Sequence, residues 1–303
     1  MRMTMRILAL TGVFASSLLL PTAAGAAPTR ATRVIQTIVT SEWSPPSPDP
    51  MGLTWDPVER RLLVVDSEVE ETTRWRGVNL FQMTRRGRLT SGASLMSFTD
   101  EPIDIVHVPG TSRYFVSSDG PDRVYEVFAG RDDRPFTDDD RVAEINLLRF
   151  AFEKDKARDI EGLAFGAGSL WLVDEASTEV FRLRPGRDGR WSGRSQRDNV
   201  MGHWDTASGD QPTPEGIEFL PRSKTLLVVS NRANSDITEF TRRGRLVAVY
   251  DGSTIGSHSP SGLRWAPASA GGGKSLYLTD RGIDNDRRPN ENDGRVFEIR
   301  LSR

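Results

Sequence analysis

The chain has 303 residues, no cysteine, a formal net charge of −2 and 27% charged against 37% hydrophobic residues. Without cysteine it has no disulfide framework and no thiolate chemistry, so its stability must rest on a buried core. Arginines and acids are interspersed along the sequence and neither sign dominates, which argues against a nucleic-acid partner.

The first 26 residues have the three-part layout of a secretory signal. Arg2 and Arg6 are followed by an apolar stretch from Ile7 to Leu20 and by the small residues Ala24, Gly25 and Ala26. Thr11, Gly12, Ser16 and Ser17 interrupt that stretch, which falls short of the ~20 residues a spanning helix needs. Cleavage after Ala26 is expected, giving a secreted or extracytoplasmic product without a membrane span. The two lost arginines take the net charge from −2 to −4.

The remaining residues, 27–303, are expected to form one repeat-built domain. Gly52-Leu53-Thr54-Trp55, a turn at Asp56-Pro57 and Leu62-Leu63-Val64-Val65-Asp66 make the first unit. Later units start at Asp104, Gly162, Gly216 and Gly262, 46 to 58 residues apart, and their second runs end at Ser118, Asp174, Ser230 and Asp280. Each pairs a short apolar-aromatic run with a Leu/Val-rich one across a turn, which reads as a β-hairpin. A third, alternating strand follows in Arg123–Val127, Glu179–Leu183 and Arg295–Ile299, and a fourth in Arg245–Tyr250. Four antiparallel strands at this period predict an all-β fold, a β-propeller of five blades, with six as the alternative. The fifth unit lacks an outer strand, and Arg33–Val39 is expected to supply it and close the ring.

The segments Asp-Ile-Glu-Gly-Leu-Ala-Phe at 159–165 and Pro-Glu-Gly-Ile-Glu-Phe at 214–219, with the strand endings Val-Val-Asp and Leu-Val-Asp, carry a family resemblance. The chain resembles secreted bacterial propellers of the group holding NHL-repeat proteins, gluconolactonase and regucalcin, and the phytase-like and SdiA-regulated families. Thr279-Asp280-Arg281-Gly282 and Asn290-Glu291-Asn292-Asp293-Gly294 are similar to a narrower exported subgroup. The resemblance implies a propeller fold and calcium more readily than it implies a reaction.

In a propeller the start of each first strand and the end of each second strand share one channel mouth. Glu161 and Glu215 occupy first-strand starts; Asp66, Asp119, Asp174, Asn231 and Asp280 occupy second-strand ends. A convergent ring of oxygen ligands suits a hard cation, and crowded carboxylates there can exchange protons. The connection after Asp280 adds Asp284, Asn285, Asp286, Asn290, Glu291, Asn292 and Asp293, an oxygen-rich set suited to Ca2+. A second acidic segment, Asp132-Asp133 and Asp138-Asp139-Asp140, is expected on the opposite face, where any calcium would be structural. Acids at strand ends also cap turns, and acidic loops are also plain solvated surface, so both readings stay open.

Three function classes follow. The leading one is an exported calcium-binding propeller holding a small-molecule or extracellular ligand at its mouth, with Asp66, Asp174, Asn231, Arg232 and Arg281 as ligand-side residues. The second is a metal-dependent hydrolase of a phosphoester, ester or lactone, with Glu161 or Glu215 as general base and Arg232 or Arg281 steadying an anion. The third is a structural or protein-interaction propeller.

Overall fold

In the computed structural model, residues 27–120, 123–145, 159–186, 189, 191, 200–283, 287–288 and 290–302 are described. Residues 1–26, expected from the sequence to be a secretory signal, lie outside them. Among the described residues no helix is long and apolar enough to cross a membrane.

After β1 (Thr29–Arg30) and β2 (Thr32–Val39) come four meanders of four strands and one of three. Blade 1 holds β3 (Pro50–Asp56), β4 (Arg61–Asp66), β5 (Leu80–Met83) and β6 (Leu89–Ala93). Blade 2 holds β7 (Pro102–His107), β8 (Arg113–Ser118), β9 (Arg123–Phe128) and β10 (Arg141–Ile145). Blade 3 holds β11 (Ile160–Gly166), β12 (Ser169–Asp174), β13 (Glu179–Leu183) and β14 (Val200–Asp205). Blade 4 holds β15 (Pro214–Leu220), β16 (Thr225–Ser230), β17 (Ile237–Thr241) and β18 (Leu246–Tyr250). Blade 5 holds β19 (Pro260–Pro267), β20 (Lys274–Asp280) and β21 (Arg295–Leu301), and takes β2 as its outer strand.

The closure expected from the sequence is present: β2 runs antiparallel to β21, with Thr37 opposite Phe297 and Val39 opposite Arg295. The fold is a five-bladed β-propeller, so the six-blade alternative falls. One addition was not foreseen. β1 pairs parallel with β18, Thr29 opposite Val249, so the same N-terminal segment clasps blades 4 and 5 together.

Five apolar clusters fill the five gaps between neighbouring blades, because both faces of every blade are covered and the middle strands can be apolar on both sides. Leu63, Val65 and Leu80 meet Ile105, Tyr114 and Val116 between blades 1 and 2, and Phe115 meets Leu163, Leu172 and Phe181 between blades 2 and 3. Leu53, Val64 and Phe81 meet Ala266, Tyr277 and Val296 across the closing gap, so blade 5 joins blade 1 by the same packing as any other pair.

Every inner strand carries one extra residue near its start. The register slips between Pro50 and Leu53, Pro102 and Ile105, Ile160 and Leu163, Pro214 and Gly216, and Pro260 and Leu263. Such a bulge re-aims a side chain, and here it sits where the strands enter the channel.

Candidate functional site at the channel mouth

Three positions per blade build the mouth. The second residue of each inner strand gives Met51, Ile103, Glu161, Glu215 and Ser261; the residue just after each second strand gives Ser67, Asp119, Glu175, Asn231 and Arg281. The residue before each inner strand gives Asp49, Glu101, Asp159, Thr213 and Ser259. The last two positions are tied by a repeated backbone bond: Asp119, Glu175, Asn231 and Arg281 donate their N–H to the carbonyls of Glu101, Asp159, Thr213 and Ser259. A cavity of ≈ 300 Å3 opens here, lined by Glu161, Glu215, Asp159, Glu175, Asp119 and Glu101 on the acidic side and Met51 and Ile103 on the apolar side.

The cavity is blind. Below the mouth the inner strands touch backbone to backbone at Gly162, Gly216 and Gly262, where a Cβ would come within 2.1, 2.0 and 2.6 Å of the neighbouring blade's carbonyl oxygen. Only glycine permits that approach. Blade 2 has Asp104 in this column instead, its carboxylate accepting the N–H of Leu163 and of Ile105, each at 2.7 Å.

One layer further down, Arg264 of blade 5 stoppers the channel. Its guanidinium donates to the carbonyls of Leu53 (2.8 Å), Ile105 (3.1 Å) and Leu163 (3.2 Å) and to Glu218 Oε2 (2.7 Å), so one side chain ties all five blades. Burial lifts Asp104 to about 6 and Glu218 to about 7, with the Arg264 charge opposing the rise in both.

At the mouth the balance is different. Glu161 and Glu215 are 6% and 3% exposed, and one oxygen of each, Oε2, has no hydrogen-bond partner among the described residues. Burial raises the Glu161 carboxyl well above its ordinary value, and Glu215, Asp159 and Glu175 push the same way. Burial also raises Glu215, opposed by Arg281 and by the Asn231 side chain bonded to it. Asp159 and Glu175 are raised by burial and by their acidic neighbours, and Asp159 shares a hydrogen bond with Glu161. Asp159, Glu161 and Glu175 each place an oxygen within 4.8 Å of the others. Arg281 is engaged at the rim with Asp49 (3.0 Å) and Glu68 (2.6 Å).

Of the residues singled out in the sequence, Glu161, Glu215, Asp119, Asn231 and Arg281 line this cavity. Asp66, Asp174 and Asp280 do not. They are fully buried one residue earlier, and strand alternation turns them away from the opening. Asp66 accepts Asp49 N–H (3.0 Å), Val69 N–H (2.9 Å) and Ser47 Oγ–H (2.6 Å). Asp174 accepts Asp159 N–H (2.9 Å) and Ser177 N–H (2.7 Å), and Asp280 accepts His258 N–H, Ser259 N–H and Arg295. Ser118 and Ser230 hold the same place in blades 2 and 4, Ser118 accepting Thr99 Oγ1–H and Ser230 accepting Thr213 N–H. These side chains lash each mouth loop to its blade. Arg232 points outward to Asp210 Oδ2 at 2.8 Å.

In the loop after Asp280, Asp284 and Asp286 lie outside the described residues. Asn290 Oδ1 accepts from Thr73, Asp293 accepts Ile283 N–H, and Glu291 is half-buried. On the opposite face Asp132, Asp139 and Asp140 bring oxygens within 4.8 Å of one another. Their loop satisfies itself: Asp139 accepts Arg131 N–H (2.6 Å), Asp132 accepts Arg134 N–H (2.9 Å), and Asp140 accepts Gly130 N–H (2.9 Å). Asp133 faces Ser112 at 3.5 Å, and Asp138 borders a separate hollow with Phe136.

Sequence reading missed Asp159, Glu175, Glu101 and Asp49 as mouth residues. The signal was present as register: in each unit they flank the residue pair that the bulge opens.

No family model and no curated protein sequence matches the chain. Among solved structures it is similar to glutaminyl cyclase from Myxococcus xanthus, at 14% identity over 91% of this chain and 98% of that one, with a TM-score of 0.53. It is also similar to regucalcin from Agrobacterium tumefaciens, described as a calcium-binding protein, at 13% identity over 90% and 96% of the two chains, with a TM-score of 0.51. These likenesses are to β-propellers and establish the fold alone.

Proposed function

We propose that this protein is an exported calcium-binding propeller that holds a small ligand at the acidic mouth of its channel. The observation that carries the reading is the pair of buried glutamates, Glu161 and Glu215, each with an oxygen that nothing among the described residues satisfies. A buried carboxylate oxygen left unpaired is costly, and a cation is the partner that would repay it. The surrounding donors are oxygens, with no histidine or thiolate among the residues lining the cavity, which suits a hard cation such as Ca2+.

Asp159, Glu161 and Glu175 would hold the ion, with Glu215 and Asn231 as neighbours. When bound it supplies a positive centre for a ligand oxygen. Met51 and Ile103 offer the carbon skeleton of that ligand an apolar wall across the cavity, and the Arg264 layer closes the channel beneath it.

The raised Glu161 and Glu215 carboxyls favour a second reading, a metal-dependent hydrolase of a phosphoester, ester or lactone. A carboxyl poised near neutrality can take a proton from water and return it to a leaving group. Arg281 borders that position; Arg232, turned out to Asp210, does not.

Calorimetric titration of the mature chain with calcium is expected to give one saturable site, lost in Glu161→Gln. The absence of any calcium heat would sink the first reading. Turnover on phosphoester, ester or lactone panels, dependent on calcium and abolished by Glu215→Gln, would favour the second.

A further inference from the structure

The hexapeptide Thr-Arg-Arg-Gly-Arg-Leu occurs twice, at 84–89 and 241–246. Both copies form the outer hairpin of a blade, between β5 and β6 in blade 1 and between β17 and β18 in blade 4. The turn explains part of the repetition. Gly87 and Gly244 have φ of 80° and 77° and donate to the carbonyls of Thr84 and Thr241, while the two threonine hydroxyls accept the N–H of Arg88 and Arg245. Threonine and glycine are thus required by the backbone. The three arginines are not.

In blade 1 they meet two more. Arg85, Arg86 and Arg88 border, with Arg60 and Arg61, a groove of ≈ 690 Å3 on the face opposite the mouth, completed by Thr84, Ser269 and Glu59. Glu59, the groove's acid, is already taken by Arg134 of blade 2 at 3.4 Å. Among the described residues none of the five guanidiniums lies within 4.0 Å of a carboxylate; Arg85 donates instead to the Ala268 carbonyl at 2.5 Å and Arg61 to the Arg60 carbonyl at 3.2 Å. On the same face the carboxylates of Asp132, Asp139 and Asp140 are taken up within their own loop, so the groove itself gathers five guanidiniums against the one acid, Glu59. Five like charges facing one hollow repel each other unless an anion joins them.

We propose that this groove is a binding site for an oligophosphate, a ligand carrying several linked phosphate groups. The guanidinium fork pairs bidentately with phosphate oxygens. Several anionic charges must fit in a single groove to answer five cations, and phosphates joined through one bridging oxygen achieve that density, whereas carboxylate polymers space their charges a whole monomer apart. The site is on the far side of the Arg264 stopper from the calcium reading and does not depend on it.

The test is calorimetric titration of the mature chain with inorganic tripolyphosphate, in chelator and at about 0.15 M salt, where charges beyond about 8 Å are screened. Saturable binding is expected, weakened about tenfold or more in Arg86→Gln/Arg88→Gln, since the change removes two of the five guanidiniums that would make charge-assisted bonds to phosphate. Both side chains are exposed, so the fold should tolerate the change. The matched Arg243→Gln/Arg245→Gln variant, with the same loss of charge in the blade 4 copy, should bind like the parent. No saturable binding, equal weakening in both variants, or equally tight binding of polyglutamate would overturn the proposal. So would capture of the chain by phosphatidylglycerol vesicles with no response to tripolyphosphate, which would assign the groove to a membrane surface.

Discussion

In the lower layer of the channel Arg264 meets Glu218 and donates to the backbone of three further blades, whereas in the upper layer Glu161 and Glu215, just as buried, each keep an oxygen without a partner among the described residues. Burial is therefore not what separates a structural charge from a functional one in this protein; pairing is. A buried charge whose partners are supplied by the fold holds the ring together. Burial raises the carboxyls of both layers, but only one whose partners are missing leaves room for a ligand.

The strongest way to break this comparison is at Arg264. Arg264→Met should cost about 3–5 kcal/mol, because it strands Glu218 and Asp104 and leaves three carbonyls without their donor. Urea unfolding measures it, and a loss below about 1 kcal/mol would mean that the stopper is not what ties the blades. At the mouth the matching change has the opposite sign. Glu161→Gln replaces a carboxyl whose charged form the fold does not stabilise, so the metal-free protein should be no less stable than the parent.

How much of this was legible in the sequence follows the same division. The blades were readable because each repeats an apolar first run, a turn and a Leu/Val-rich second run, and the closing strand was readable because the last blade was one strand short. The mouth was readable only to within one residue. Alternation places Asp174 against its own loop and Glu175 in the cavity, and the bulge after Ile160 is set by the close approach of Gly162 to blade 4, which a single strand does not reveal. Arg264 left a fainter trace. Its repeat column reads Thr54, Val106, Ala164, Glu218 and Arg264, two opposite charges among smaller residues, and only closing the ring brings them into contact.

Calcium gives the next largest effect. At ~100 times its dissociation constant a ligand adds about 2.7 kcal/mol, and at roughly 2–4 °C per kcal/mol chelation should lower the melting temperature by about 5–10 °C. Glu161→Gln should remove that difference. Identical melting curves with calcium and with chelator would return the upper layer to the same standing as the lower.

A smaller effect separates neighbouring registers. Asp280→Ala strands two backbone amides and Arg295, at a cost of roughly 1–3 kcal/mol in urea, with calcium affinity unchanged. Glu175→Ala should do the reverse, leaving stability within about 0.5 kcal/mol and weakening calcium. If both variants lose calcium alike, the one-residue distinction between lashing and lining is wrong.

The finest probe is pH. An unfolded glutamate sheds its proton near 4.5, while burial holds the Glu215 proton to about 8 and Glu161 moves the same way. Between those values the folded chain binds more protons than the unfolded one, so these two groups make the metal-free protein less stable as pH rises. Their penalty is absent below the unfolded value and complete above the folded one. A cation takes the place of the proton, so the calcium-loaded protein should lose this slope, and calcium should bind more weakly as pH falls through the same window. Each displaced proton is worth up to about tenfold in affinity per pH unit, about 1.4 kcal/mol. Titrations at pH 6 and pH 7 compare directly, and Glu215→Gln serves as the control that cannot titrate at that position. A calcium affinity flat across this range would show that the mouth carboxyls are already ionised in the metal-free protein, and that the unpaired oxygens of the upper layer are solvated rather than waiting for a ligand.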